Sequence, residues 1–151
     1  MKRNRRQKRR HLSANDGFSL VELLVVLIII GLLAAIAIPR FIDQQNKAHD
    51  AEAKTAARTA FVAIETYEMD HHGYGGADVA GALEQVDPTL NDAPNLQVAV
   101  DPGGDGYTLS TESDSATPVT FTVRRDPTSV PPVVRSCSPI ATGGCSSSGD
   151  W

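Results

Sequence analysis

The sequence predicts an α+β fold in which one long N-terminal helix, transmembrane at first and amphipathic afterwards, packs on a small antiparallel β-sheet. Three observations carry that expectation. An unbroken apolar block runs from Phe18 to Ile38; a three- or four-residue apolar repeat follows it to about His72; and beyond Leu96 short β-favouring segments alternate with turn-rich ones. With 151 residues and a formal net charge of -4, the chain has the size of a single domain. The charge is unevenly divided: residues 1–17 hold seven Lys or Arg against one acid, a charge of +6, which leaves -10 for residues 18–151. A polytopic membrane protein, a large multidomain enzyme and a disulfide-dense mini-protein all fit poorly with one apolar block and two cysteines.

The first element is the apolar block itself. Phe18 to Ile38 is 21 residues, FSLVELLVVLIIIGLLAAIAI, and a helix of that length covers roughly 30 Å, the thickness of a bilayer core. The Lys/Arg cluster before it is retained on the cytoplasmic side, which places the acidic remainder outside. A nucleic-acid role for the basic segment fits less well, because the charges abut an apolar run with no aromatic residues between them. A cleaved secretory signal is the ordinary reading of such an N-terminus, and Ala35-Ile36-Ala37 offers signal peptidase a small-x-small site. Three features oppose it: the 16 uncharged residues Leu23 to Ile38 exceed a usual signal core, Pro39 lies just beyond the candidate cut, and Glu22 interrupts the apolar block. A carboxylate in hydrocarbon costs a few kcal/mol, so Glu22 requires a positive partner.

Gly17-Phe18-Ser19-Leu20-Val21-Glu22-Leu23-Leu24-Val25-Val26, continued by the apolar run to Pro39, resembles the N-terminal signature of the type IV pilin-like family, which includes type IV pilins, competence pilins and type II secretion pseudopilins. The resemblance spans residues 16 to 41, about a quarter of the chain. It implies a pilin-like fold and a membrane prepilin peptidase that cuts between Gly17 and Phe18, then N-methylates the new amine of Phe18. Glycine suits the position before the cut because it has no side chain to hinder approach to the scissile carbonyl. The resemblance further implies that Glu22 pairs with the Phe18 amine of a neighbouring subunit, so that two charges costly in lipid neutralise each other and set the stagger of assembly.

Beyond the block, Gly31 and Pro39 are expected kink positions, since proline lacks the backbone donor a helix needs. Ala53, Ala57, Ala60 or Phe61, Ile64 and Tyr67 then recur at helical spacing and define one apolar face; Asp50 and Lys54, four apart, are placed on the polar face. His71 and His72 are expected to face the last carbonyls, with Gly73 as the C-terminal cap. From Phe18 this is more than fifty residues, or roughly 80 Å of helix.

Residues 73–95 are rich in Gly, Asp and Pro and read as a connecting loop with at most a short helix near Asp78 to Val86. Leu96 to Val100, Tyr107 to Thr111 and Val119 to Val123 read as three strands of an antiparallel meander. Cys137 and Cys145, eight apart in a Pro-, Ser- and Gly-rich segment, form a disulfide if that segment lies outside the membrane, and they resemble the cysteine-bounded C-terminal loop of many pilins. Asp101 and Asp105 flank a Pro-Gly-Gly turn; as a calcium site they lack a third oxygen-rich ligand. Arg124, Arg125 and Arg135 form a candidate local basic patch or, more simply, solvated strand-edge charge.

The chain thus divides into a leader 1–17 that is removed, a transmembrane and filament-core helix 18–38, an amphipathic helix 39–72, a connecting loop 73–95, a β-meander 96–126 and a disulfide-bounded loop 127–151. No nucleophile, base and orienter set, no cofactor motif and no metal cluster is present, so the expectation is a structural subunit and not an enzyme. By resemblance its partners are copies of itself and other pilins, the prepilin peptidase and methyltransferase, and an inner-membrane assembly platform with a cytoplasmic ATPase. The expected location is the cytoplasmic membrane before assembly and a surface pilus afterwards. Two alternatives stand beside this: a type II secretion pseudopilin, and a secreted binding protein released after Ala37.

Overall fold

The computed structural model describes residues 17–77 and 80–151. The elements are α1 (Leu20–His71), α2 (Ala80–Val86), a 3-10 helix (Pro88–Asp92), β1 (Gln97–Val100), β2 (Tyr107–Glu112), β3 (Thr120–Arg125) and β4 (Val133–Ser138). The chain separates into two compact units, the first ending at Ile38 and the second running from Pro39 to Trp151. The basic leader lies outside the described residues, apart from Gly17.

The described part of the first unit is helix from Leu20 onward. Its residues from Leu20 to Ile38 are exposed on every side, Ala34 alone being half-buried. A helix apolar all round has no inward face and is stable in water only if lipid or other helices cover it. Gly31 and Pro39 both fall within the helical span of α1.

In the second unit the sheet is a simple antiparallel meander in the order β1-β2-β3-β4. The alternation of β2 and β3 sends Tyr107, Leu109, Thr111, Phe121 and Val123 to the covered face. They meet a stripe of alanines on α1, at Ala53, Ala57, Ala60 and Ala63, all buried. Alanine permits close approach of sheet and helix: the Thr111 hydroxyl donates directly to the Ala53 carbonyl at 2.9 Å. The core has two parts. Ala53 and Ala57 pack with Val119, Phe121 and the cysteines, while Ala60, Ala63 and Ile64 pack with Tyr74, Leu83, Leu90, Tyr107, Leu109 and Val123.

The structure departs from the sequence reading in four places. A fourth strand, β4, occupies part of the expected C-terminal loop, pairing Val133–Ser138 with β3. Its sequence holds only two leading valines before Arg, Ser and Cys, and Pro131-Pro132 just ahead of it read as a breaker; proline is in fact acceptable immediately outside an edge strand. The segment 73–95 is more ordered than a loop, with the 3-10 helix in addition to α2, begun by Asp87, whose carboxylate accepts from Thr89 N–H at 3.0 Å. At the end of α1 the residue with left-handed backbone is His72, at φ 57, and not Gly73. Finally, Asp50 belongs to the buried face of α1 and not to its polar face, because that face must also admit the C-terminal loop.

Candidate functional site

Gly17, Phe18 and Ser19 precede the helix without regular structure. The first turn begins where Leu23 N–H donates to the Ser19 carbonyl at 3.1 Å. The peptide between Gly17 and Phe18 is therefore outside the helical hydrogen-bond ladder. Among the described residues no atom lies within 4 Å of a side-chain position at Gly17, and Phe18 is 72% exposed. Glu22 stands in the first turn of α1, where the partial positive charge of the helix N-terminus favours a carboxylate. It is exposed between apolar neighbours, and among the described residues no cation pairs with it. What this arrangement provides chemically is an anion among apolar side chains, four residues from Phe18.

In the second unit Cys137 and Cys145 form a disulfide with Cα atoms 5.6 Å apart. The loop it closes turns back onto α1. Gly144 N–H donates to Asp50 Oδ2 at 2.7 Å, and Gly143, at φ 52, lies where any side chain would collide with that carboxylate. Trp151 covers the other side of the disulfide region. Its ring meets Phe121 edge-on at 5.5 Å, its indole N–H donates to Ser136 O at 2.8 Å, and Arg58 stands over it at 5.6 Å.

The three arginines do not form a common basic patch. Strand register places Arg125 opposite Tyr107 and Arg135 opposite Val123, on the covered face, while Arg124 pairs with Val134 on the other. Arg125 reaches Glu65 at 3.2 Å, Arg135 lies over the Phe61 ring at 5.6 Å, and Arg124 reaches Asp126 at 3.7 Å. Each cation thus has a local partner; Arg125 is half-buried in its ion pair, while Arg124 and Arg135 are exposed, as solvated strand charge.

Glu65 is a focus that sequence reasoning missed. Its Oε1 accepts from Tyr107 OH at 2.7 Å and Tyr74 OH at 3.2 Å, and Arg125 completes the cluster. Burial, followed by the charge of Glu65, pushes the Tyr74 hydroxyl up from 10.0 to about 12, and burial pushes Tyr107 higher still. The available signal was the i, i+4 step from Phe61 to Glu65 on the inner side of α1, but an acid there reads as surface until its partners are known.

Asp101 and Asp105 lie at the β1–β2 turn, both exposed, with Gly104 N–H donating to Asp101 O at 2.8 Å. His71 Nδ1 lies 3.0 Å from the Tyr67 carbonyl, which places this ring at the helix end as the sequence implied. Nearby, hydrogen bonds from Thr128 hold the Asp126 carboxyl below its ordinary range.

Comparison with known proteins bears on the N-terminal site. Residues 12–38 match the family model described as the prokaryotic N-terminal methylation motif. The chain is 43% identical over 60 residues to the type IV major pilin protein PilA of Myxococcus xanthus, a match covering 40% of this chain and 27% of that protein. It is 46% identical over 54 residues to the type IV narrow pilus major component PilA5 of Thermus thermophilus, covering 34% and 47%. With the type II secretion system core protein G of Pseudomonas aeruginosa it shares 28% over 100 residues, 61% of this chain and 70% of that one. No solved structure matches the chain significantly.

Proposed function

We propose that this chain, type IV pilin-like in its N-terminal motif and its relatives, is the precursor of a filament subunit, cleaved after Gly17, methylated on the amine of Phe18 and assembled through residues 18–38. The observation that carries the reading is an apolar helix, exposed at every position but Ala34, whose side chains bear one charge, Glu22, from Leu20 to Ile38. Before assembly lipid covers that surface; in the filament, the same helices of neighbouring copies cover it. The chain's own relatives are named as pilus and secretion-system components, and its role is structural and not enzymatic.

The pairing of Glu22 with a neighbour's Phe18 amine supplies the register. In a low-dielectric helical core both charges are costly alone, and their attraction is screened far less than at a surface. A subunit at the wrong stagger leaves both unpaired. Glu22→Ala is therefore expected to give a processed, membrane-inserted protein that is missing from the sheared filament fraction; normal filament yield from this variant would sink the pairing. Mass spectrometry of the N-terminus tests the processing step, with methylated Phe18 expected and Ile38 as first residue the contrary result.

A pseudopilin of a type II secretion system is the second reading. It is favoured by the similarity to core protein G, which extends beyond the N-terminal helix into the second unit. Recovery of the chain in long surface fibres supports the pilus, and its absence from them while secretion depends on it supports the pseudopilin.

A further inference from the structure

The sheet has two faces, and α1 covers only one of them. Strand register gives the other face two rows of side chains that cross the strands: Gln97, Ser110, Thr122 and Ser136 over all four, and Glu112, Thr120 and Ser138 over β2, β3 and β4. Neighbours within a row are about 4.8 Å apart. Among the described residues none of these side chains enters a hydrogen bond or an ion pair within the chain. Elsewhere the same residue types are engaged: the Thr111 hydroxyl donates to the Ala53 carbonyl, Ser115 Oγ donates to Thr117 O at 2.7 Å, and Thr128 Oγ1 donates to Asp126 Oδ1 at 2.6 Å. The outer face therefore keeps a dense set of donors and acceptors that the fold does not use.

At one end this face is concave. A cleft of about 360 Å³ is lined by Gln97, Ser110, Glu112 and Thr120, together with Asn95 just before β1, a volume within the range of small-ligand sites. Asn95 has left-handed backbone at φ 47, a conformation asparagine tolerates better than most residues, and it brings a second amide to the rim.

The chemistry of the face selects the ligand class. Glu112 is the cleft's one charge, and residues 18–151 carry -10, so a polyanion is repelled. The two rows hold no apolar or aromatic side chain, whereas the core of a protein interface is rich in aromatic residues and poor in Ser and Glu. We propose that the outer face of the sheet binds a neutral oligosaccharide, with the cleft as its main subsite and Glu112 accepting hydrogen bonds from sugar hydroxyls. A sugar hydroxyl both donates and accepts, as do Ser, Thr and the two amides, so each contact satisfies both partners. Glu112 adds charge-assisted bonds, roughly twice as strong as neutral ones. Each neutral contact contributes little net free energy, because it replaces bonds to water. Affinity then depends on repetition, and the row from Gln97 to Ser136, about 14 Å long, provides it for a ligand of several rings.

The inference concerns the second unit alone and does not rest on the filament reading. The full chain, held in a zwitterionic detergent without sugar head groups, is titrated by calorimetry with neutral hexaoses of glucose, N-acetylglucosamine, mannose and galactose, with hexagalacturonate as the anionic comparison. Saturable binding of at least one neutral hexaose is expected, little changed between low and high salt. Glu112→Gln should weaken it about tenfold and Thr122→Val about threefold. Both should leave the thermal midpoint unchanged, since neither side chain has an internal bond to lose, and Arg58→Ala, on α1, should leave binding unchanged. The proposal is overturned if no neutral hexaose binds at millimolar concentration, or if hexagalacturonate binds as well as they do. It is equally overturned if binding survives both Glu112→Gln and Thr122→Val intact, or is lost with Arg58→Ala.

Discussion

Within α1, Leu23 to Ile30 are exposed on every side, whereas Ala53, Ala57, Ala60 and Ala63 are buried along one stripe. The first stretch is built from large aliphatic side chains and the second from methyl groups, although the backbone geometry is the same. Large apolar groups all round leave this stretch without a packing partner among the described residues. A narrow stripe of methyl groups instead lets a sheet approach until Thr111 hydrogen-bonds the helix backbone. The size and angular spread of apolar residues, and not helicity, decide which half stays exposed and which forms a core.

The largest effect should come from substitutions that interrogate this difference directly. Phe121→Ala, beneath Ala53 and Ala57, should lower the stability of the second unit by about 3–5 kcal/mol, while Leu27→Ala should leave it within about 0.5 kcal/mol. Denaturation of both variants in detergent, followed by circular dichroism, measures this. Equal losses from the two would break the contrast.

A smaller effect is expected from the disulfide, which belongs wholly to the second unit. Replacing Cys137 and Cys145 together by Ser opens a loop of sequence separation 8 and should cost about 2–3 kcal/mol by the chain-entropy argument. Trp151 is the chain's one tryptophan and packs beside the pair, so its fluorescence reports the transition. Membrane insertion should be unchanged; loss of insertion would show that the two halves are coupled.

The smallest effect is set by pH. Tyr74 and Tyr107 have hydroxyls raised above the ordinary tyrosine value, Tyr74 from 10.0 to about 12. The folded state favours the protonated form, so this stabilisation is complete below pH 10 and is lost as pH rises towards 12 and beyond. Tyr107→Phe removes one donor to Glu65 and should flatten that alkaline decline while lowering neutral stability by about 1 kcal/mol. Residues 23–38 contain no titratable side chain, so alkaline unfolding should begin in the second unit; an identical pH profile in Tyr107→Phe would remove the Glu65 cluster as its cause.

The features legible in the sequence are the local ones. Helical periodicity named Ala53, Ala57 and Ile64, alternation placed three strands to within two residues, and the spacing of Gly17, Phe18 and Glu22 pointed to the family that the comparisons support. β4 was hidden because Val133-Val134-Arg135-Ser136-Cys137-Ser138 lacks strong alternation and gains its hydrogen bonds only by lying beside β3.

The sequence by itself determined where apolar residues concentrate, which stretch is helical and how many cysteines are available to pair, since each depends on side-chain type and near-neighbour spacing. Only the tertiary structure decided that Asp50 is buried against Gly144, that Arg125 and Arg135 share the sheet's covered face, and that Glu65 gathers two tyrosines and an arginine from up to 60 residues away. The reason is physical: a charged side chain's environment is set by the elements that fold over it, and strand register, a long-range choice, assigns every side chain to one face or the other.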